Sequence, residues 1–149
     1  MYCTHADIQE LIPERTLVQL SNDDPKATEP NWANVDAAIR YADNTINGYL
    51  RGRYNLPLAS FDELVKAWSS FIARWWLYNR RPDGKELPAA VLLSYTDATK
   101  SLKLVQDGKL HLGVGNGVSG VAGDLQPEGG QVRIRSGIRQ FPAERLNQF

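Results

Sequence analysis

The chain has 149 residues, 42% hydrophobic and 23% charged, which is the make-up of one globular domain large enough to bury a core. Lysine plus arginine and aspartate plus glutamate both number 17, and zero net charge argues against a general binder of nucleic acid or of a membrane surface. A single cysteine, Cys3, allows no intrachain disulfide; with no signal peptide and no run of membrane-spanning length, the expectation is a soluble intracellular protein made in a reducing cytoplasm.

Thr4, followed three positions later by Asp7, reads as a capping box with the shorter acid, opening a short helix through HADIQELI that Pro13 ends. Pro13 can in turn occupy the first turn of a second short helix, PERTLVQL. The stretch 21–31, SNDDPKATEPN, is turn chemistry and reads as a loop.

Residues 33–51 read as the first long helix, because Val35, Ala38, Ile39, Ala42, Ile46, Tyr49 and Leu50 recur at spacings of three and four. Gly52 stands where a helix stop is expected, and Pro57 turns the chain. At this corner Gly48 and Gly52 are expected to let backbones approach, and Tyr49, Leu50, Tyr54 and Leu56 to pack it against the next helix. Arg51 and Arg53 are left to pair with acids or a neighbouring subunit.

Ser60 and Glu63 have the S-x-x-E spacing of a capping box, which predicts a helix over 61–80. Phe61, Leu64, Val65, Trp68, Phe71, Ile72, Trp75 and Trp76 cover an arc wide enough to make it the central element. Pro88 is expected to start the last long helix, 88–107, with Val91, Leu92, Tyr95, Ala98, Leu102 and Val105 inward and Gly108 as its stop.

Beyond it the composition changes. The predicted architecture is an all-α body over 1–108, a small bundle of three long and one or two short helices. A Gly-rich linker follows over 109–130, then a C-terminal arm over 131–149. In the arm, QVRIRSG (131–137) alternates like one strand, and Ile138, Phe141, Leu146 and Phe149 supply an apolar anchor. Such an anchor either folds back on its own body or finds its partner on another chain, and we read it as the latter.

Charge is also unevenly placed: residues 1–50 sum to −5 and residues 51–149 to +5. Two oppositely charged sides would let copies pack head to tail, provided the fold keeps those sides apart; solvated helix faces of mixed sign are the plainer reading and the one expected.

Enzyme chemistry finds no residues to stand on. GNGVSG (115–120) has the letters of a dinucleotide fingerprint, but Gly123, Pro127 and Gly129-Gly130 leave no helix after it, so no cofactor is expected. Cys3, His5 and His111 lack the spacing of a metal site. A DNA-contacting helical protein is the alternative: Arg51, Arg53, Arg80, Arg81, Lys85, Arg133, Arg135 and Arg139 can meet phosphates, though the same residues suit protein interfaces.

Several blocks resemble one family, the small head-tail joining proteins of Mu-like prophages. They are Tyr2, Thr4, Asp7 and Ile8 at the start, and Ile46, Gly48, Tyr49, Leu50, Arg53, Tyr54 and Leu56-Pro57-Leu58 at the corner. Ile72-Ala73-Arg74 with Leu77-Tyr78, Gly108-Lys109 with Leu112, and the arm with Arg139, Phe141, Leu146 and Phe149 complete the set. The Trp75-Trp76 pair is bulkier than that pattern and implies a locally different core.

The resemblance implies a non-catalytic adaptor in the virion neck, made in the host cytoplasm. It would assemble as a ring, dodecameric by that resemblance, beneath the portal protein, and extend the channel. Its partners would be the portal, copies of itself, a tail-side neck or stopper protein, and duplex DNA passing without sequence readout; no membrane is involved. The residues expected to bind partners are Arg53, Arg133, Ile134, Arg135, Ile138, Arg139, Phe141, Leu146 and Phe149.

Overall fold

In the computed structural model, which describes residues 1–80 and 86–113, five helices form one bundle: α1 (His5–Leu11), α2 (Glu14–Ser21), α3 (Trp32–Leu50), α4 (Glu63–Arg80) and α5 (Ala89–Gln106). No strand occurs among the described residues, and the all-α expectation holds. The predicted strand 131–137, the linker beyond Gly113 and the apolar anchor lie outside the described residues.

The wide apolar arc of α4 explains its place at the centre, in contact with all four other helices. Val65, Ile72, Ala73 and Leu77 are fully buried, and Trp68 nearly so. Against them pack Val35, Ala38, Ile39, Ala42, Ile46 and Leu50 of α3, and Ala98, Leu102 and Val105 of α5. The two short helices add Ile8, Ile12 and Leu17.

Local signals set most of the helix ends. Thr4 caps α1 as expected, with the Asp7 carboxylate accepting from the Thr4 N–H at 2.7 Å while the Asp7 N–H donates to the Thr4 hydroxyl at 3.4 Å. Pro13 stands just before α2 as its N-cap rather than within its first turn, and the Thr16 and Leu17 N–H groups donate to its carbonyl, each at 2.9 Å. Gly52 follows α3 with φ +95° and Gly108 follows α5 with φ +77°, the left-handed conformation that glycine adopts without a side-chain clash. At Gly108 the cap is a Schellman motif: the Gly108 N–H donates to the Val105 carbonyl at 3.1 Å, and the Lys109 N–H to that of Leu104 at 2.9 Å.

Other expectations need correction. The S-x-x-E box does not open α4. Asp62 is the residue before the helix, its carboxylate accepting from the Glu63 N–H at 2.7 Å and its carbonyl from Val65 and Lys66. Glu63 is thereby the first helical residue, too early to reach back as a capping box requires. Phe61 precedes the helix and Leu64 lies on its first turn, and both are exposed. Leu92 of α5 is half exposed instead of inward, because Val91 already occupies the core-facing position of that turn.

The glycines at the α3 corner do not serve close approach. A Cβ built at Gly48 or Gly52 meets nothing within 4 Å, so Gly52 is needed for its φ and Gly48 has no steric role in the bundle.

Candidate interaction surface

The corner after α3 is held from two directions. Tyr54 is buried and its hydroxyl accepts from the Leu112 N–H at 3.0 Å, so the chain past α5 runs back over the corner and buries Leu112 as well. Arg53 lies beside it. Its Nη1 donates to the Gln106 carbonyl at 3.3 Å, and a Cβ at Gly108 would stand 2.7 Å from its Nη2 and 2.9 Å from Cζ. A guanidinium there meets the negative end of the α5 dipole and one of its unpaired carbonyls. Arg51 is exposed.

Of the nine residues expected to bind partners, Arg53 is the one that the structure describes, and it places the guanidinium against its own α5. Arg133, Ile134, Arg135, Ile138, Arg139, Phe141, Leu146 and Phe149 lie outside the described residues.

Other charges are also engaged inside the chain. Arg80, at the end of α4, donates to the Leu20 carbonyl at 3.3 Å, the Ser21 carbonyl at 3.1 Å and the Asp23 carboxylate at 2.8 Å. It thus serves as the side-chain cap of α2. Lys66 pairs with Asp7 at 3.0 Å. Both ion pairs join the acidic first part of the chain to the basic second part, and reduce the charge that those parts offer to neighbours.

Under the N-terminus lies a largely buried polar cluster. The Tyr2 hydroxyl donates to Asn47 Oδ1 at 2.5 Å and accepts from the Leu58 N–H at 3.2 Å. The Ser69 hydroxyl lies 3.2 Å from the Cys3 sulfur and 3.3 Å from Asp43 Oδ1, and can donate to either. Burial pushes the Tyr2 hydroxyl and the Cys3 thiol above their ordinary pKa values, which keeps both protonated and Cys3 inert. Among the described residues no group of three or more His, Cys, Asp and Glu side chains could hold a metal ion. No helix of the described residues is long and apolar enough to cross a membrane.

What the structure adds is aromatic and apolar surface. Trp75 stacks on Tyr95 of α5, centroid distance 4.2 Å, and more distantly on Tyr41 of α3, 6.3 Å, so aromatic contacts link three helices, with Tyr41 exposed. The unexpected Trp75-Trp76 bulk is explained in part by this stack. On the neighbouring face, α4 and α5 bound an open groove of about 330 Å3, floored by Trp68, Phe71 and Ala98 and walled by Leu93 and Asp97. Arg74 stands at the Ala90 end. Its Nη2 donates to Ser94 Oγ at 2.7 Å, its guanidinium lies 5.7 Å from the Phe71 ring centroid, and its Nε is buried without a partner. None of this was read from sequence. The available signal was Leu92-Leu93, two adjacent large apolar residues that cannot both face one core from a helix.

Comparison with known proteins bears on what this body belongs to. The Mu-like prophage FluMu protein gp36 of Haemophilus influenzae is 31% identical over 90 residues, and the match spans 60% of each chain. A model of the family described as "Bacteriophage Mu, Gp36" matches residues 2–127, which takes in all five helices and the corner blocks. The chain belongs to the bacteriophage Mu Gp36 family.

Proposed function

We propose that the protein is a structural, non-catalytic component of a phage particle, and that its role is a head-tail adaptor in the virion neck. Copies would form a ring beneath the portal protein and extend the channel through which duplex DNA passes. The C-terminal arm would hold the ring in place, and a tail-side neck or stopper protein would bind below.

The observation that carries this reading is a helical body whose core takes in residues from Tyr2 to Leu112, in a chain of the Mu Gp36 family. Beyond that body the sequence still supplies Ile138, Phe141, Leu146 and Phe149. Large apolar residues in a segment not needed for that body would suit a binding anchor. The described residues offer no sheet for 131–137 to join, and a strand there could add to a sheet edge of a neighbouring protein. The DNA-contacting alternative loses two of its arginines, since Arg53 and Arg80 are engaged by their own chain.

Mass measurement in solution, of the protein alone and mixed with purified portal rings, tests the proposal. The adaptor role requires a discrete complex carrying many copies per portal ring. A mixture in which both species keep their separate masses contradicts it.

A further inference from the structure

The groove between α4 and α5 is apolar surface that the fold leaves open, and the chain contains a segment whose chemistry matches it. We propose that this groove receives residues 138–149 of a neighbouring copy. The inference rests on the reading that copies assemble side by side. It gives the apolar end of the arm to the next subunit and leaves 131–137 to reach the portal.

The groove floor is aromatic, with exposed Leu93 on its α5 wall. Leu64 and Leu104, also exposed, continue the same stripes, Leu64 one turn before Trp68 on α4 and Leu104 eleven residues after Leu93 on α5. A volume of about 330 Å3 admits a large side chain or two, not a folded element.

The charges are complementary. Asp97 stands on the wall and Arg74 at the end, and residues 138–149 carry Arg139 and Arg145 for the one and Glu144 for the other. Phe141 and Phe149 are the aromatic anchors of the kind that dominate interface energetics.

The length of the leash puts a neighbour's groove within reach. α5 is itself one wall of the groove, and its C-terminal end leads directly to Gly113. At 18 residues α5 is about 27 Å long. An extended return along it would take roughly eight residues. The sequence instead places 24 residues between Gly113 and Ile138, enough to span about 80 Å when extended. That excess suits a crossing to the next copy.

The test uses the full chain with a bulky apolar photo-crosslinking amino acid in place of Leu93, which is exposed on the groove's α5 wall. Unlabelled and 15N-labelled copies are mixed in equal amounts at assembly concentration, irradiated and digested. Crosslinks should join position 93 to peptides from 138–149, and about half should pair light with heavy chains, as random exchange requires. In the double variant Phe141→Ala, Phe149→Ala, with unchanged helical circular dichroism, their yield should fall roughly tenfold or more, as loss of aromatic anchors predicts. Crosslinks confined to one isotope would mean that the arm occupies its own groove and would overturn the proposal, as would crosslinks that avoid 138–149 or an absence of products. Portal binding is scored separately by co-sedimentation. A protein that exchanges arms but ignores portal rings sinks the adaptor reading and leaves the groove assignment standing.

Discussion

A methyl group should have opposite effects at two glycines of this chain. At Gly108 a side chain must adopt φ +77° and displace the Arg53 guanidinium, so Gly108→Ala should destabilise the protein by about 1–2 kcal/mol. At Gly48, inside α3 with open space around it, alanine only improves helix propensity, so Gly48→Ala should stabilise by ~0.5–1 kcal/mol. Urea denaturation of the two variants checks both signs. Asp7 supplies a pH dependence at the same scale. Burial alone would raise its carboxyl, but the Thr4 hydroxyl and N–H together with Lys66 outweigh that and hold it below its ordinary value of 3.8. The folded value lies below the unfolded one, so this contribution is fully present above the unfolded value and is lost as pH falls through the folded value. Asp7→Asn should therefore be less stable than the parent at neutral pH, with the gap closing as pH drops below 3.8; urea midpoints measured across that range read it directly.

At the scale of elements, what is legible in sequence is what a few neighbouring residues decide. Thr4 with Asp7, and Gly108 after the last apolar residue of α5, act within one turn, and both ends fall where the letters put them. The start of α4 differs from the Ser60–Glu63 reading because Asp62, two positions after Ser60, is an equally good cap residue. Sequence spacing alone does not choose between them, and the segment leading to α4 is also held from far away, by the Leu58 N–H donating to the Tyr2 hydroxyl 56 residues earlier. Asp62→Ala should accordingly cost about 1 kcal/mol, while Ser60→Ala should change stability little, by thermal or urea unfolding. The aromatic stack and the α4–α5 groove were illegible for a related reason. They are made by side chains of separate helices, and helical periodicity says which face is apolar but not which apolar residues a neighbour will cover. Leu93 and Phe71 belong to the same surface only once α4 and α5 lie side by side.

For the whole molecule, the unequal charge of the two parts of the sequence counts for less than composition suggests, because Asp7–Lys66 and Asp23–Arg80 join those parts within one bundle. What remains for assembly is apolar surface on the body and apolar sequence after it. Among the described residues the core runs as far as Leu112, and the arm is the part of the chain that we assign to other molecules. Co-sedimentation of the full chain and of residues 1–130 with purified portal rings, with helical circular dichroism recorded for both, tests that division. The account predicts that the shortened protein keeps its helical signal and no longer sediments with the rings. A shortened protein that still sediments with them as the full chain does would contradict it.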